Sequence, residues 1–262
     1  MLLDTIGYQA TAPGAGAPAT AVPGDSLTVK NALAGSEIAL VTMCGLQTAG
    51  GYQQVTAPSF SDTTRGIRGV LSSFATQPLI PLGNYQGLQA QETLSVTING
   101  SAAVGAIEQG WLTVWYANLP GQDGRYMTEA EVEAKTVRFT TVQATIASLA
   151  TGGWSGAELI TAESDLLRAN TDYALMGITS ATSCAAIGVR APDWANARVA
   201  VPGMPGRNDY TEAWFARLSA FTGYPCIPVF NSANKNNIFI DVLANQTAPS
   251  VSIALMLVEL AP

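Results

Sequence analysis

The chain has 262 residues, of which 48% are hydrophobic and only 12% charged, with a net charge of −7 and no histidine. Binding nucleic acid requires clustered Lys and Arg to neutralise phosphate; the 12 present are scattered and none lies between Met1 and Gly24, which excludes a direct nucleic-acid interface. A charged share about half the usual one leaves few groups to solvate a free surface, so much of the outside is expected to be covered in an assembly.

In chain order, residues 1–24 are expected to form an arm, because the Ala/Gly/Pro-rich stretch from Ala10 to Gly24 has too little bulk for a core. This stretch lacks the charged and apolar regions of a signal peptide, and no apolar run is long enough to span a bilayer. Short apolar or alternating runs then follow at Ser26–Asn31, Glu37–Gln47, Tyr52–Ala57, Gly66–Ser73, Leu79–Leu82, Glu92–Asn99 and Trp111–Leu119, separated by Gly, Pro, Asn or Ser. Seven or so short strands in about a hundred residues make a sandwich or jelly roll over 25–120. A linker over 121–153 holds one helix: Thr128-Glu-Ala-Glu131 fits a capping box, with Met127 and Val132 as its hydrophobic staple. Glu129, Glu131 and Glu133 suit the positive end of that helix better than an acidic catalytic cluster.

From 154 to 262 the first unit returns. Ala34–Leu40 recurs as Ala169–Leu175, Val55-Thr-Ala-Pro58 as Val189-Arg-Ala-Pro192 with Phe60 answered by Trp194, and Leu71–Asn84 as Leu218–Asn231. The order is preserved and the offset is nearly constant until a turn-rich insert over Val201–Ala213. Both units close on paired runs, Leu94–Gly100 then Trp111–Tyr116, and Ile238–Leu243 then Val251–Leu257. Pro58, Pro81, Pro192 and Pro228 are expected at strand ends, edges or bulges.

Chemistry is sparse. Without histidine, Ser-His-Asp and Cys-His systems and His-containing zinc sites are excluded. No phosphate-cradling or nucleophile-elbow string occurs, and Gly153-Trp-Ser-Gly156 has the wrong spacing for one. Cys44, Cys184 and Cys226 are too widely spaced for a disulfide framework or a metal site and read as buried free thiols. Asp193 and Asp209 sit beside turns, where Asp is favoured without catalysis; a carboxylate-pair glycosidase would need two such groups flanking a bond. Trp111, Trp115, Trp154, Trp194 and Trp214 could stack on sugars, but the strand alternation of the first two and the match of Trp194 to Phe60 favour core packing. Asn99-Gly-Ser101 and Asn245-Gln-Thr247 fit the glycosylation acceptor pattern, and turn-forming Asn is the simpler account. No catalytic, cofactor-binding or metal-binding residue is therefore expected, and no enzymatic activity.

The paired L-S-x-F-x-x-x-P-x-I-P-x-x-N and V-x-A-P-x-[FW] segments, in two units joined by a helix-bearing linker, resemble the small double jelly-roll major capsid proteins of tailless icosahedral viruses with an internal membrane. The resemblance spans 25–262. It implies an all-β chain of two tandem jelly-roll units and a homotrimer whose six units tile a shell. It also implies contacts with other capsid subunits and minor capsid proteins, an internal lipid layer, and a place in the virion after synthesis in the host cytoplasm. The 201–213 insert and Pro120–Gly124 would be outward loops. The main alternative is a two-domain adhesin that holds sugars on its loops.

Overall fold

In the computed structural model the described residues are 1–11, 18–20, 22–23, 27–30, 37–46, 51–60, 66–71, 86–99, 104–105, 107–117, 124–149, 154–155, 158–160, 164–182, 184–244 and 248–262. The first half contributes β1 (Leu2–Thr11), β2 (Pro18–Thr20), β3 (Val22–Pro23), β4 (Ile38–Leu46), β5 (Gly51–Thr56), β6 (Ile67–Leu71), β7 (Gln86–Gly87), β8 (Ser95–Asn99) and β9 (Ile107–Tyr116). These form two antiparallel sheets, ordered β3-β1-β9-β4-β7 and β2-β8-β5-β6. The second half begins with β10 (Tyr126–Met127), α1 (Glu129–Lys135), β11 (Thr136–Leu149), β12 (Glu158–Leu159), β13 (Asp172–Ser180), β14 (Cys184–Arg190) and β15 (Val199–Gly203). It continues with α2 (Asn208–Thr211), α3 (Trp214–Thr222), β16 (Ile227–Asn231), β17 (Phe239–Leu243) and β18 (Ala248–Leu260). Its sheets run β10-β16-β13-β18-β11 and β12-β17-β14-β15.

Set side by side, the two halves have one topology. β1, β9, β4 and β7 are matched by β11, β18, β13 and β16, and β2, β8, β5 and β6 by β12, β17, β14 and β15. In each half, eight strands in this order wind between two facing sheets as a jelly roll. The chain is all-β with two tandem jelly-roll units.

The repeats seen in the sequence occupy equivalent places. The match of Ala34–Leu40 to Ala169–Leu175 leads into the same β-bulge in both units: the ladder to the last strand slips between Leu40 and Thr42, and again between Leu175 and Gly177. A bulge bends a strand and sharpens its twist, so both units carry this bend in the third strand of the jelly roll. The V-x-A-P repeat makes the same tight turn twice, with Phe60 N–H donating to Ala57 O at 3.1 Å and Trp194 N–H to Ala191 O at 3.2 Å. Pro58 and Pro192 lie just past β5 and β14, where no ladder N–H is needed. Pro228 falls within β16, opposite Tyr126. Pro81 and most of Leu71–Asn84 lie outside the described residues, as do Leu79–Leu82 and Pro120–Asp123.

Three sequence expectations need correction. Residues 2–11 are not an arm: β1 pairs with β9 along its full length, from Leu2 opposite Tyr116 to Thr11 opposite Ile107, and is buried for most of that run. Pro18–Thr20 and Val22–Pro23 also pair within the first unit, with β8 and β1. The first unit therefore starts at Leu2, well before residue 25. The stretch 121–153 is not only a linker, because β11 inside it pairs with β18 over 14 residues as a strand of the second unit. Finally, 201–213 is not a turn-rich loop. It completes β15 and enters α2, with α3 following, and α3 buries Trp214, Phe215, Leu218 and Thr222 and ends on Gly223 in the left-handed region at φ 73°.

The capping box is present as expected: Thr128 Oγ1 accepts from Glu131 N–H, and the Glu131 carboxylate accepts from Thr128 N–H at 2.7 Å. Donation from the Thr128 backbone N–H, and then from its hydroxyl, holds the Glu131 carboxyl below its usual range. Thr128→Ala should cost about 1 kcal/mol, read as a lower denaturation midpoint at unchanged slope.

Candidate assembly interface

The two units meet along a face that strand alternation assigns. The Tyr8 hydroxyl bonds Gln53 of the opposite sheet, and Tyr8 stands across from Gly110, so Gly110, Leu112, Val114 and Tyr116 point into the first sandwich. The alternate residues of β9, Trp111, Thr113 and Trp115, with Leu3, Thr5 and Gly7 of β1, therefore point away from it. They are buried nonetheless: Leu3 and Trp111 are 0% exposed, Thr5 1%, Thr113 3% and Trp115 4%.

The second unit covers them. Trp111 Nε1–H donates to Ala185 O on β14 at 2.9 Å, and its ring meets Trp214 of α3 edge-on at 6.2 Å. Trp115 stacks on Tyr224 at 3.8 Å with planes 2° apart, and the Tyr224 hydroxyl donates to the Glu37 carboxylate. Gly7 lets the chains close: a Cβ there would lie 2.6 Å from Trp154 Nε1. The free edge of β1 is also capped from the second unit. Met1 O accepts from Gly124 N–H, Leu3 O from the Tyr126 hydroxyl, and Thr5 N–H donates to Arg198 O.

A buried ion cluster fixes the strands that supply this cover. Asp241 on β17, 1% exposed, accepts from Arg190 of β14 at 2.7 and 3.0 Å and from Arg198 at 3.0 Å, and the Arg198 guanidinium lies over the Trp154 ring at 4.2 Å. One side chain thus ties two strands of a sheet to the residue whose carbonyl holds β1.

No family model and no curated protein matches the chain. Among solved structures it is similar to the PBSX exported protein XepA, at 11% identity, over 98% of this chain and 86% of that one, with a TM-score of 0.28. It is similar to the major capsid protein P2 from bacteriophage PM2 at 5% identity, over 100% and 98% of the two chains, TM-score 0.21. The STIV MCP is similar at 9% identity, over 98% and 96%, TM-score 0.23.

The residues weighed for chemistry are dispersed among structural duties. Asp193 accepts from Asn231 N–H at 3.2 Å and Asn234 Nδ2 at 2.8 Å and faces Arg125 at 3.6 Å, clamping the turn after β14 to the end of β16. Asp209 is exposed beside Arg207. Trp194 is fully buried, edge-on to Phe230 at 6.2 Å. Burial pushes the Cys184 and Cys226 thiols up to about 12, so neither is a thiolate at neutral pH; the side chain of Cys44 lies outside the described residues, as do Asn245–Thr247. Among the described residues no group of three or more His, Cys, Asp or Glu could hold a metal, and no helix is long and apolar enough to cross a membrane. A cavity of about 380 Å³ opens between Val137, Arg168, Asp172, Asn231, Glu259 and Pro262. Its buried carboxylate, Glu259, is held by Arg138 at 2.5 Å and Arg168 at 2.9 Å. Hydrogen bonding from Arg125, and then from Asn231, keeps the Asp172 carboxyl below its ordinary range.

Sequence reasoning assigned the tryptophans to packing but not to packing between units. The available signal was Trp111 and Trp115 four residues apart on a strand, hence on one face, while the other face, with Leu112, Val114 and Tyr116, is also apolar, so both faces call for cover.

Proposed function

We propose that the chain is a structural shell subunit, the major capsid protein of an icosahedral virus, whose copies join head to tail into a trimer of six jelly rolls. One observation carries this reading. The outward face of the first unit's five-stranded sheet is covered by the second unit, whereas the matching face of the second unit, covered over β13 by its own α2 and α3, is open along β11 and the adjoining part of β18, although no charge protects it there. On β11 the buried Val142, Ala144 and Ile146 alternate with exposed Thr141, Gln143, Thr145 and Ala147, and Ser250 and Ser252 are exposed beside them on β18. The complementary surface, the outward face of the first unit's four-stranded sheet, is open to solvent at Ser95 and partly so at Gln54, Thr56 and Thr97. A contact that joins unit one to unit two within a chain can join unit two to unit one of the next. Heterologous contacts of this kind close into rings when the rotation permits.

The trimers would tile the shell alongside other capsid and minor capsid proteins. The net charge of −7 and absence of a basic cluster suit a shell lined by an internal lipid layer with no direct hold on the genome. The rival adhesin would need an exposed aromatic platform, and Trp111, Trp115, Trp194 and Trp214 are all buried.

Light scattering on the purified chain, paired with electron microscopy, tests this. The expected result is a mass three times 27.2 kDa with six-lobed particles or shells. A chain that stays monomeric across concentration and salt overturns the proposal.

A further inference from the structure

We propose that the open edge of β11 at Val137, Phe139 and Thr141 is the seam on which a second copy of this chain docks, presenting the β5–β6 side of its first unit. The inference rests on the head-to-tail reading above and names its contact.

The register carries it. The shared bulge aligns Val114 with Leu257 and Thr113 with Met256, because these residues face Leu40 and Thr42 in one unit and Leu175 and Gly177 in the other. Thr5 pairs with Thr113 and Thr141 with Met256, so Thr5 and Thr141 are equivalent, and Leu3 and Phe139 with them. In the first unit this stretch is sealed. Leu3 is 0% and Thr5 1% exposed, and the edge groups Met1 O, Leu3 O and Thr5 N–H bond Gly124, Tyr126 and Arg198. In the second unit the same stretch is bare. Val137 is 53% and Phe139 56% exposed, and among the described residues β11 is paired only by β18.

A 14-residue edge strand without proline and with a single charge, Arg138, is a ready template for another chain. Large exposed apolar side chains on that edge mark a contact. The occupant follows from the first unit. β1 is capped at Arg198, in the connection from β14 to β15, and the counterpart of that connection joins β5 to β6. The cavity beside Val137 opens at this same end and leaves room for a side chain of the neighbour.

The test is Phe139→Glu in the full chain, with Phe139→Leu as the conservative variant and Val104→Glu, at a residue 79% exposed elsewhere, as control. The expected result is that the wild type, F139L and V104E are trimers. F139E should keep the wild-type circular dichroism spectrum but dissociate, with trimer affinity reduced roughly tenfold or more. An F139E chain as trimeric as the wild type overturns the seam while leaving the head-to-tail reading intact; a monomeric wild type overturns that reading first. Hydrogen exchange on the wild type decides independently of any variant. Slower exchange of the 136–142 peptide in the concentrated trimer than in the diluted monomer supports the seam, and equal exchange rejects it.

Discussion

Replacing Trp111 with alanine should lower stability by about 3–5 kcal/mol, the usual cost of emptying a large aromatic site that cannot collapse. Trp111 is 0% exposed, and its place is walled by β14 and α3 of the other unit, each held by its own core. The loss should therefore appear as weakened coupling between units. Chemical denaturation followed by tryptophan fluorescence and by circular dichroism should give coincident curves for the wild type and separated ones for the variant. Trp111→Phe keeps most of the ring volume but not the bond to Ala185 O, so it should cost about 1 kcal/mol plus a smaller packing loss. A loss below that level for alanine would mean that the two units do not depend on this face.

Asp241→Ala is expected to have the next largest effect, about 2–4 kcal/mol. Removing one member of a buried ion cluster leaves its partners desolvated and unpaired, which typically costs more than the cluster itself contributes. The upper end is not reached because the Arg190 and Arg198 side chains remain 29% and 16% exposed, so water recovers part of the loss. The damage should spread to the first unit through Arg198, whose carbonyl accepts from Thr5 N–H at 2.7 Å. Amide exchange of residues 3–7 should therefore accelerate along with that of β17. Acceleration confined to β17 would show that the cluster serves only its own sheet.

Legibility in the sequence followed the range of the interactions. The capping box was readable because Thr128 and Glu131 satisfy each other within one turn. The duplication was readable because the bulge and the V-x-A-P turn require particular residues at fixed spacing, and their repeats land on equivalent backbone. β1 was missed because Leu2–Thr11 is buried on both faces and so lacks clear alternation, and because the small residues that follow it suggest an arm. β11 was missed for the opposite reason: its alternation of Thr, Gln and Ala with Val and Ile is polar enough to pass for linker. α3 lay inside a segment whose partner in the first unit invited a strand reading, and only Gly223 signalled a helix end. The interface itself carries no motif. It exists because β9, β14 and α3, far apart in the chain, bring Trp111 and Trp115 against Ala185, Trp214 and Tyr224.

If copies join head to tail as proposed, the bare part of the second unit's face would also set the tempo of assembly. From Phe139 to Ala147 on β11 and from Ser250 to Met256 on β18, its outward residues bear no charge. A neighbour approaching it gains no long-range guidance and meets the repulsion between two chains of net charge −7, so productive encounters should be no faster than the unsteered rate of about 10⁵–10⁶ M⁻¹s⁻¹ and should quicken as salt screens that repulsion. The concentration of finished chains, together with the salt that screens them from one another, would then decide when rings begin to form.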